Sequence, residues 1–200
     1  ICKADAPEDA KVRAVSLLAR TCEDICEGQQ QDMSFEDRED VTRDEYLDMV
    51  TKKTGVLYGT AAAIGSLLAG GSDAQVDAFY NYGCKTGAAF QIQDDLIDLL
   101  ESSDKSGKDQ ASDIREGKQT LIAITARERG INLGPWRRLL DKEDIASLIA
   151  MLNENGVIHA VQQEAEALIG SAIDGISILP ETPEKKLLAD LAWYFIKRDY

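Results

Sequence analysis

Basic side chains are scarce in this 200-residue sequence, with 22 Lys and Arg against 36 Asp and Glu and a formal net charge of −14. That deficit excludes the usual nucleic-acid binder, which neutralises phosphates with a basic face. It argues equally against docking on an anionic membrane surface. Histidine is scarcer still, His159 being the single one. The four cysteines, Cys2, Cys22, Cys26 and Cys84, therefore have no imidazole close in sequence to complete a zinc site. They read as reduced thiols of a cytoplasmic protein. No run of eighteen apolar residues exists, so no membrane span is expected; GTAAAIGSLLAGG, from Gly59 to Gly71, comes closest and is too short. No secretory leader is visible, and neither strand alternation nor an internal repeat can be found.

What remains is helical. With 44% hydrophobic and 29% charged residues, the chain has the composition of a soluble globular protein with a sizeable core. Val15, Leu18, Cys22, Ile25 and Cys26 recur at helical spacing after Pro7, which suits a helix start. A polar loop, MSFEDREDV, is expected next. Thr42 with Glu45 three residues on forms a capping box, opening a second helix expected to run unbroken to Gly70-Gly71. Ser72 and Gln75 repeat the box for a third helix ending in FQIQDDLIDLL. The polar stretch ESSDKSGKDQASDIREGKQT is expected to be a functional loop. Helical patterns return in LIAITARER, around Ile145 to Leu152, around Leu168 to Ile176, and after Pro183. The expected fold is a single all-α domain over residues 1–200, a bundle of roughly six to eight helices.

The segment Phe90 to Leu100 places three carboxylates in an apolar helix. At about 100° per residue, Gln91, Asp94, Asp95 and Asp98 share an arc of roughly 100°. Ile92, Leu96 and Leu99 adjoin it, and Phe90, Ile97 and Leu100 cover most of the remainder. Charge runs are usually solvated stripes, but a helix apolar on nearly every side is buried by its neighbours, so the acidic arc should face an interior cavity. Close carboxylates in a dry pocket need cations. Oxygen donors without His or Cys select a hard ion, Mg²⁺ or Ca²⁺, and the spacing is not that of an EF-hand. Mg²⁺ held through a few carboxylates takes its other ligands from water and phosphate, which points to a phosphate or diphosphate ligand. Lys52 and Lys53, followed by Thr54 in KKTG, and Lys108 and Lys118 in the polar loop, supply cations around the acidic helix. Any one of them could equally be a solvated surface lysine. Gly55 with Gly59, and Gly83 with Gly87, lie one turn apart on two helices and are explained by close backbone approach.

These residues together resemble the C-terminal two-thirds of a trans-isoprenyl diphosphate synthase, the polyprenyl synthetase family. FQIQDDLID resembles its second aspartate-rich motif, KKTG its Lys-Thr motif, GQQQDM (Gly28 to Met33) its Gly-Gln-x-x-Asp segment, and GKDQASDIREGKQTL its diphosphate-closing lysine loop. The resemblance implies an isoprenoid-synthase bundle and Mg²⁺ bound at Asp94, Asp95 and Asp98, with Asp94 a direct ligand. Asp32 supports the metal cluster from the first helix, and Asp113 holds water around a magnesium. It further implies that Lys53 and Thr54 contact the allylic diphosphate near the developing cation, that Phe90 and Gln91 face that substrate, and that Lys108 and Lys118 bind diphosphate from the loop. The implied reaction is ionisation of an allylic diphosphate, attack by isopentenyl diphosphate and loss of a proton, carried out by a cytoplasmic homodimer.

One motif of the family is missing from these residues. The first aspartate-rich motif and the basic residues that hold isopentenyl diphosphate do not occur in the 27 positions before Gly28, and EDRED, Glu36 to Asp40, is in the wrong place. With Ile1 first, the sequence reads as part of a longer chain lacking the family's N-terminal helices, and these residues are expected not to turn over alone. Two alternatives share the fold: a non-catalytic synthase-like subunit of a hetero-oligomer, and a class I terpene cyclase. The retained DDxxD and Lys-Thr motifs and loop lysines weigh against the first, and the Lys-Thr motif and lysine loop against the second. GQQQDM, the RDY ending and the acidic composition suggest an archaeal enzyme with a farnesyl or geranylgeranyl product.

Overall fold

The computed structural model of the chain describes residues 1–101, 110–138 and 141–197. Its regular structure is helical throughout, with no strand among the described residues. Helix α1 runs Glu8–Phe35 behind Pro7, whose φ of −57° is already helical and whose missing N–H costs nothing there. Glu8 and Asp9 in its first turn complement the helix dipole. The helix outlasts the expectation: Met33, Ser34 and Phe35 belong to it rather than to the following loop, because Phe35 is buried in the main core and carries the helix with it.

Helix α2 is Arg43–Val50 and α3 is Val56–Leu68. The capping box forms as the sequence indicates: Glu45 N–H donates to Thr42 Oγ1 at 3.3 Å and Thr42 N–H to the Glu45 carboxylate at 2.8 Å, an arrangement worth roughly 1 kcal/mol. The expected unbroken rod is interrupted, however. Thr51–Gly55 forms one π turn, in which Val56 N–H reaches back five residues to Thr51 O. Such turns insert one residue and re-aim the side chains beside it; here they are Lys52, Lys53 and Thr54.

Helix α4, Asp73–Leu100, opens with the second capping box, Ser72 with Gln75, and is the centre of the molecule. It packs on α3 and the π turn on one side and on a later helix, Val157–Gly175, on the other. Ile92, Leu96 and Leu99 are buried to 1% or less, so truncating any of them to Ala should cost about 2–5 kcal/mol. The α3–α4 contact is backbone on backbone: a Cβ on Gly83 would lie 2.5 Å from Tyr58 O, and one on Gly87 would lie 2.8 Å from Gly55 Cα. The glycines therefore set the spacing that lets the π turn reach α4.

The stretch expected to be one long loop contains a short helix, α5, Ser112–Glu116. It is reached through Ala111, a buried non-glycine residue at φ 57°, whose N–H donates to Asp98 O at 2.7 Å. Helix α6 is Leu121–Glu128, capped by Thr120; a 3₁₀ turn covers Gly134–Arg138; α7 is Lys142–Glu154, α8 is Val157–Gly175 and α9 is Pro183–Lys197. Splitting the second rod and adding α5 brings the count among the described residues to nine helices, above the expected six to eight. Arg43 clamps α2 to α6 and α8 through Glu128 at 2.8 Å, Thr125 at 3.1 Å and Glu164 at 3.1 Å. Leu121, Ile124, Leu148, Leu152, Val161 and Ile169 close the main core beneath.

Candidate functional site

The C-terminal half of α1, the α2–π-turn rod, the end of α4 and the α5 segment converge on one small cavity of about 100 Å³. Six residues singled out in the sequence line it: Asp32, Lys53, Gln91, Asp95, Asp113 and Lys118. Phe35, Glu36, Tyr46, Met49, Val50, Gln119 and Thr120 complete the wall. Gly28 allows α1 to come this close, since a Cβ there would stand 2.4 Å from Lys53 N.

Lysines and carboxylates neutralise one another inside the cavity. Lys53 Nζ lies 2.5 Å from Asp32 Oδ2, and Lys118 Nζ 2.7 Å from Asp113 Oδ1 and 3.1 Å from Glu116 Oε2. Burial works against the Lys118 charge, but the hydrogen bond and charge of Asp113 outweigh it and hold the ammonium above its ordinary range. Burial, with the Asp98 and Glu116 charges, raises the Asp113 carboxyl in spite of Lys118. Lys52, the neighbour of Lys53, turns the other way to Asp48 at 3.0 Å and Glu27 at 3.6 Å, so the π turn sends only one of the two lysines into the site.

The three motif aspartates have three environments. Asp95 is 8% exposed and hydrogen-bonded to Tyr46 and Gln91. Burial first, then the nearby Asp113 charge, push its carboxyl up to about 7. Asp98 is half-buried and accepts from Ser112 Oγ at 2.5 Å and Asp113 N–H at 3.1 Å. Asp94 is half-buried beside them. Thr54 donates to Gln91 Oε1 at 3.1 Å, so the Lys-Thr turn and the acidic helix are in contact. Phe90 stands apart from the cavity wall, packed with Tyr58 and Phe195 at centroid distances of 5.7 and 5.6 Å. Lys108 lies outside the described residues.

Oxygen donors alone suit a hard cation, but among the described residues no group of three or more carboxylates, thiols or imidazoles is gathered to hold an ion. Asp95 is turned to Tyr46, and Asp113 to Lys118. Carboxylate oxygens of this kind would suit Mg²⁺ or Ca²⁺ in chemistry.

Tyr46 and Gln119 were missed by sequence reasoning. Both are polar residues in otherwise ordinary helical and loop patterns, and both become legible only when Asp95 and Arg127 are seen as their partners. A larger cavity, about 430 Å³, lies behind Lys118 and Gln119 between Ile114, Arg127 and Arg137; it shares only those two residues with the site.

Comparison with known proteins adds the following. A family model described as polyprenyl synthetase matches residues 2–144. The geranylgeranyl pyrophosphate synthase of Geoglobus acetivorans is 44% identical over 197 residues, 98% of this chain and 61% of the relative. The geranylfarnesyl diphosphate synthase of Natronomonas pharaonis is 42% identical over 196 residues, 98% of this chain and 58% of the relative. The solved geranylgeranyl pyrophosphate synthetase from Geoglobus acetivorans superposes with TM-score 0.87 at 42% identity, over 97% of this chain and 61% of that one. A polyprenyl synthase from Caulobacter crescentus, complexed with calcium and isoprenyl diphosphate, superposes with TM-score 0.82 at 26% identity, over 93% of this chain and 59% of that one. The chain thus spans about three-fifths of the length of the relatives it matches.

Proposed function

The chain belongs to the polyprenyl synthetase family, and from that premise we propose that it carries the second-motif half of a trans-prenyltransferase site, one that lengthens an allylic diphosphate with isopentenyl diphosphate. The observation that carries the reading is the convergence of Asp32, Lys53, Gln91, Asp95, Asp113 and Lys118 on one cavity beside Asp94 and Asp98. The relatives' names support elongation to a geranylgeranyl-class product.

The chemistry follows from charge. Departure of a diphosphate is the step at which most charge develops, and preorganised cations stabilise it. Lys53 and Lys118 supply those cations once they exchange Asp32 and Asp113 for phosphate oxygens. The cavity's small volume reflects these internal pairs, which fill the space a diphosphate would take. A hard divalent ion held by Asp94 and Asp98 would add electrostatic stabilisation of the leaving diphosphate; the calcium and isoprenyl diphosphate of the Caulobacter crescentus relative support that pairing of ligands. Thr54 and Gln91, bonded to one another, are the residues we assign to the allylic carbon as it ionises. The apolar flanks of α3 and α4 exclude water from the carbocation.

The test is incorporation of radiolabelled isopentenyl diphosphate into a longer prenyl chain, with and without Mg²⁺. Elongation requires isopentenyl diphosphate and cyclisation does not, so a product formed without it would replace this reading with a terpene cyclase. These 200 residues on their own are expected not to turn over, since the family's first carboxylate cluster is not among them; incorporation by them alone would overturn that expectation.

A further inference from the structure

A line of hydrogen bonds crosses three elements and ends at Thr54. Tyr46 on α2 is 1% exposed, and its hydroxyl donates to Asp95 Oδ2 at 2.7 Å. Asp95 Oδ1 accepts from Gln91 Nε2 at 3.1 Å, and Gln91 Oε1 accepts from the Thr54 hydroxyl at 3.1 Å. We propose that Tyr46 is a positioning residue: by holding Asp95 it sets the orientation of the Gln91 amide, which lines the cavity, and through it the direction of the Thr54 hydroxyl on the π turn next to the cavity residue Lys53. This rests on the prenyltransfer reading for its catalytic consequence, but not for its geometry.

The direction of the line is dictated by donors and acceptors. As a carboxylate, Asp95 takes one hydrogen bond on each oxygen, one from the phenol and one from the amide. Were the Gln91 amide reversed, its oxygen would face Asp95 Oδ1, acceptor against acceptor, and its NH₂ would face the Thr54 hydroxyl. With Asp95 held, Gln91 gives its N–H to the carboxylate and must accept on its oxygen. Thr54 has one proton, and it is committed to Gln91. The lone pairs of Thr54 Oγ1, not its hydrogen, are then left for a ligand beside it. An electron-rich oxygen is the dipole that suits a developing cation. Asp95 thereby serves as the middle of a lock rather than as a metal ligand, which accounts for its burial beside two half-buried aspartates. The π turn is part of the same device, because it is the irregularity that carries Thr54. Removal of the Tyr46 hydroxyl leaves Asp95 Oδ2 without its donor in a dry site, where an unpaired acceptor is costly and seeks another partner.

Tyr46→Phe tests this, since it keeps the ring and deletes only the hydroxyl. The Gln91 side-chain amide resonances of the ligand-free protein should move, and the Thr54 γ-methyl resonance with them. In the active protein, kcat should fall about tenfold while KM for either diphosphate stays within about twofold, the pattern of a loss felt in the transition state. Unchanged Gln91 and Thr54 resonances would overturn the proposal, as would a raised KM with kcat untouched. Should the variant fold poorly, hydrogen exchange in the unsubstituted protein decides: the Tyr46 hydroxyl proton and one Gln91 amide proton must exchange slowly, and fast exchange of either defeats the relay. Absence of prenyl transfer by the unsubstituted protein would remove the functional reading alone, because the resonances and the exchange report on the relay without turnover.

Discussion

Lys53 on the π turn and Asp32 on α1 form an ion pair at 2.5 Å across the candidate diphosphate cavity. Their side chains are 35% and 28% exposed, so solvent screens the pair and its contribution to stability is small. Under the proposed function, the pair keeps an ammonium in place until a diphosphate arrives. Lys53→Met should therefore shift the unfolding free energy by no more than about 1 kcal/mol while weakening Mg²⁺-pyrophosphate binding at least about tenfold by titration calorimetry. Equal losses in both would show that the pair is structural.

Gly28 makes that pair possible. Ala at position 28 would put a methyl 2.4 Å from Lys53 N and 2.8 Å from Lys53 Cα, main-chain atoms that cannot rotate aside. Gly28→Ala should destabilise the protein by roughly 2–4 kcal/mol and abolish pyrophosphate binding. Gly65 on α3 has nothing within 4 Å of a built Cβ and no positive φ, so Gly65→Ala should stabilise by about 0.5–1 kcal/mol. Urea denaturation of the two variants checks both signs.

The Asp95 carboxyl, raised to about 7 by burial, makes stability depend on pH. An aspartate in the unfolded chain ionises near 4. Between the two values the folded state holds a proton that the unfolded state has released, so the folded state's advantage from this group is present below pH ~4 and is lost as pH rises through ~7. Asp95→Asn keeps an acceptor for Gln91 and offers an NH₂ to the Tyr46 oxygen. It should raise the Tm at pH 8 by a few degrees, on the order of 1–3 kcal/mol, with the gain shrinking towards pH 4. A pH-independent difference in thermal melts would refute this account.

Metal dependence divides the three aspartates. Pyrophosphate binding should need Mg²⁺ and vanish in EDTA. Asp94→Asn and Asp98→Asn should each weaken the Mg²⁺-dependent component about tenfold or more. Asp98→Asn should also increase hydrogen exchange at Asp113 N–H, which donates to Asp98 Oδ2 at 3.1 Å. Calorimetry with and without EDTA measures the first effect. Binding of equal strength in EDTA would leave the lysines as the whole site.

Much of this arrangement was readable along the chain. Thr42 with Glu45 and Ser72 with Gln75 announce helix starts because capping boxes are local, three residues from end to end, and both form. The Gly55, Gly59, Gly83 and Gly87 spacing announced a close helix contact, and their backbones meet. The acidic arc on α4 was placed inward by periodicity; Gln91 and Asp95 line the cavity, while Asp94 and Asp98 are half-buried and lie off its wall. Other features left no trace. Nothing in TKKTG announces a π turn, because an inserted residue is stabilised by what packs against the helix and not by its own composition. Tyr46 reads as any core aromatic on an amphipathic helix, and its partner is 49 positions away. The long polar stretch concealed α5, a single turn held by Asp98 from another helix.

Helix content, the caps, the inward acidic arc and the family follow from residues a few positions apart, because backbone propensity, capping and amphipathic period are short-range effects. Which lysine enters the cavity, which aspartate is dry, and who donates to Gln91 were settled only on folding. Lys53 and Lys52 are neighbours in the chain, yet one meets Asp32 and the other Asp48. Charge pairing and desolvation depend on distances through space between α1, the π turn, α4 and α5, and those distances exist only once the helices have packed.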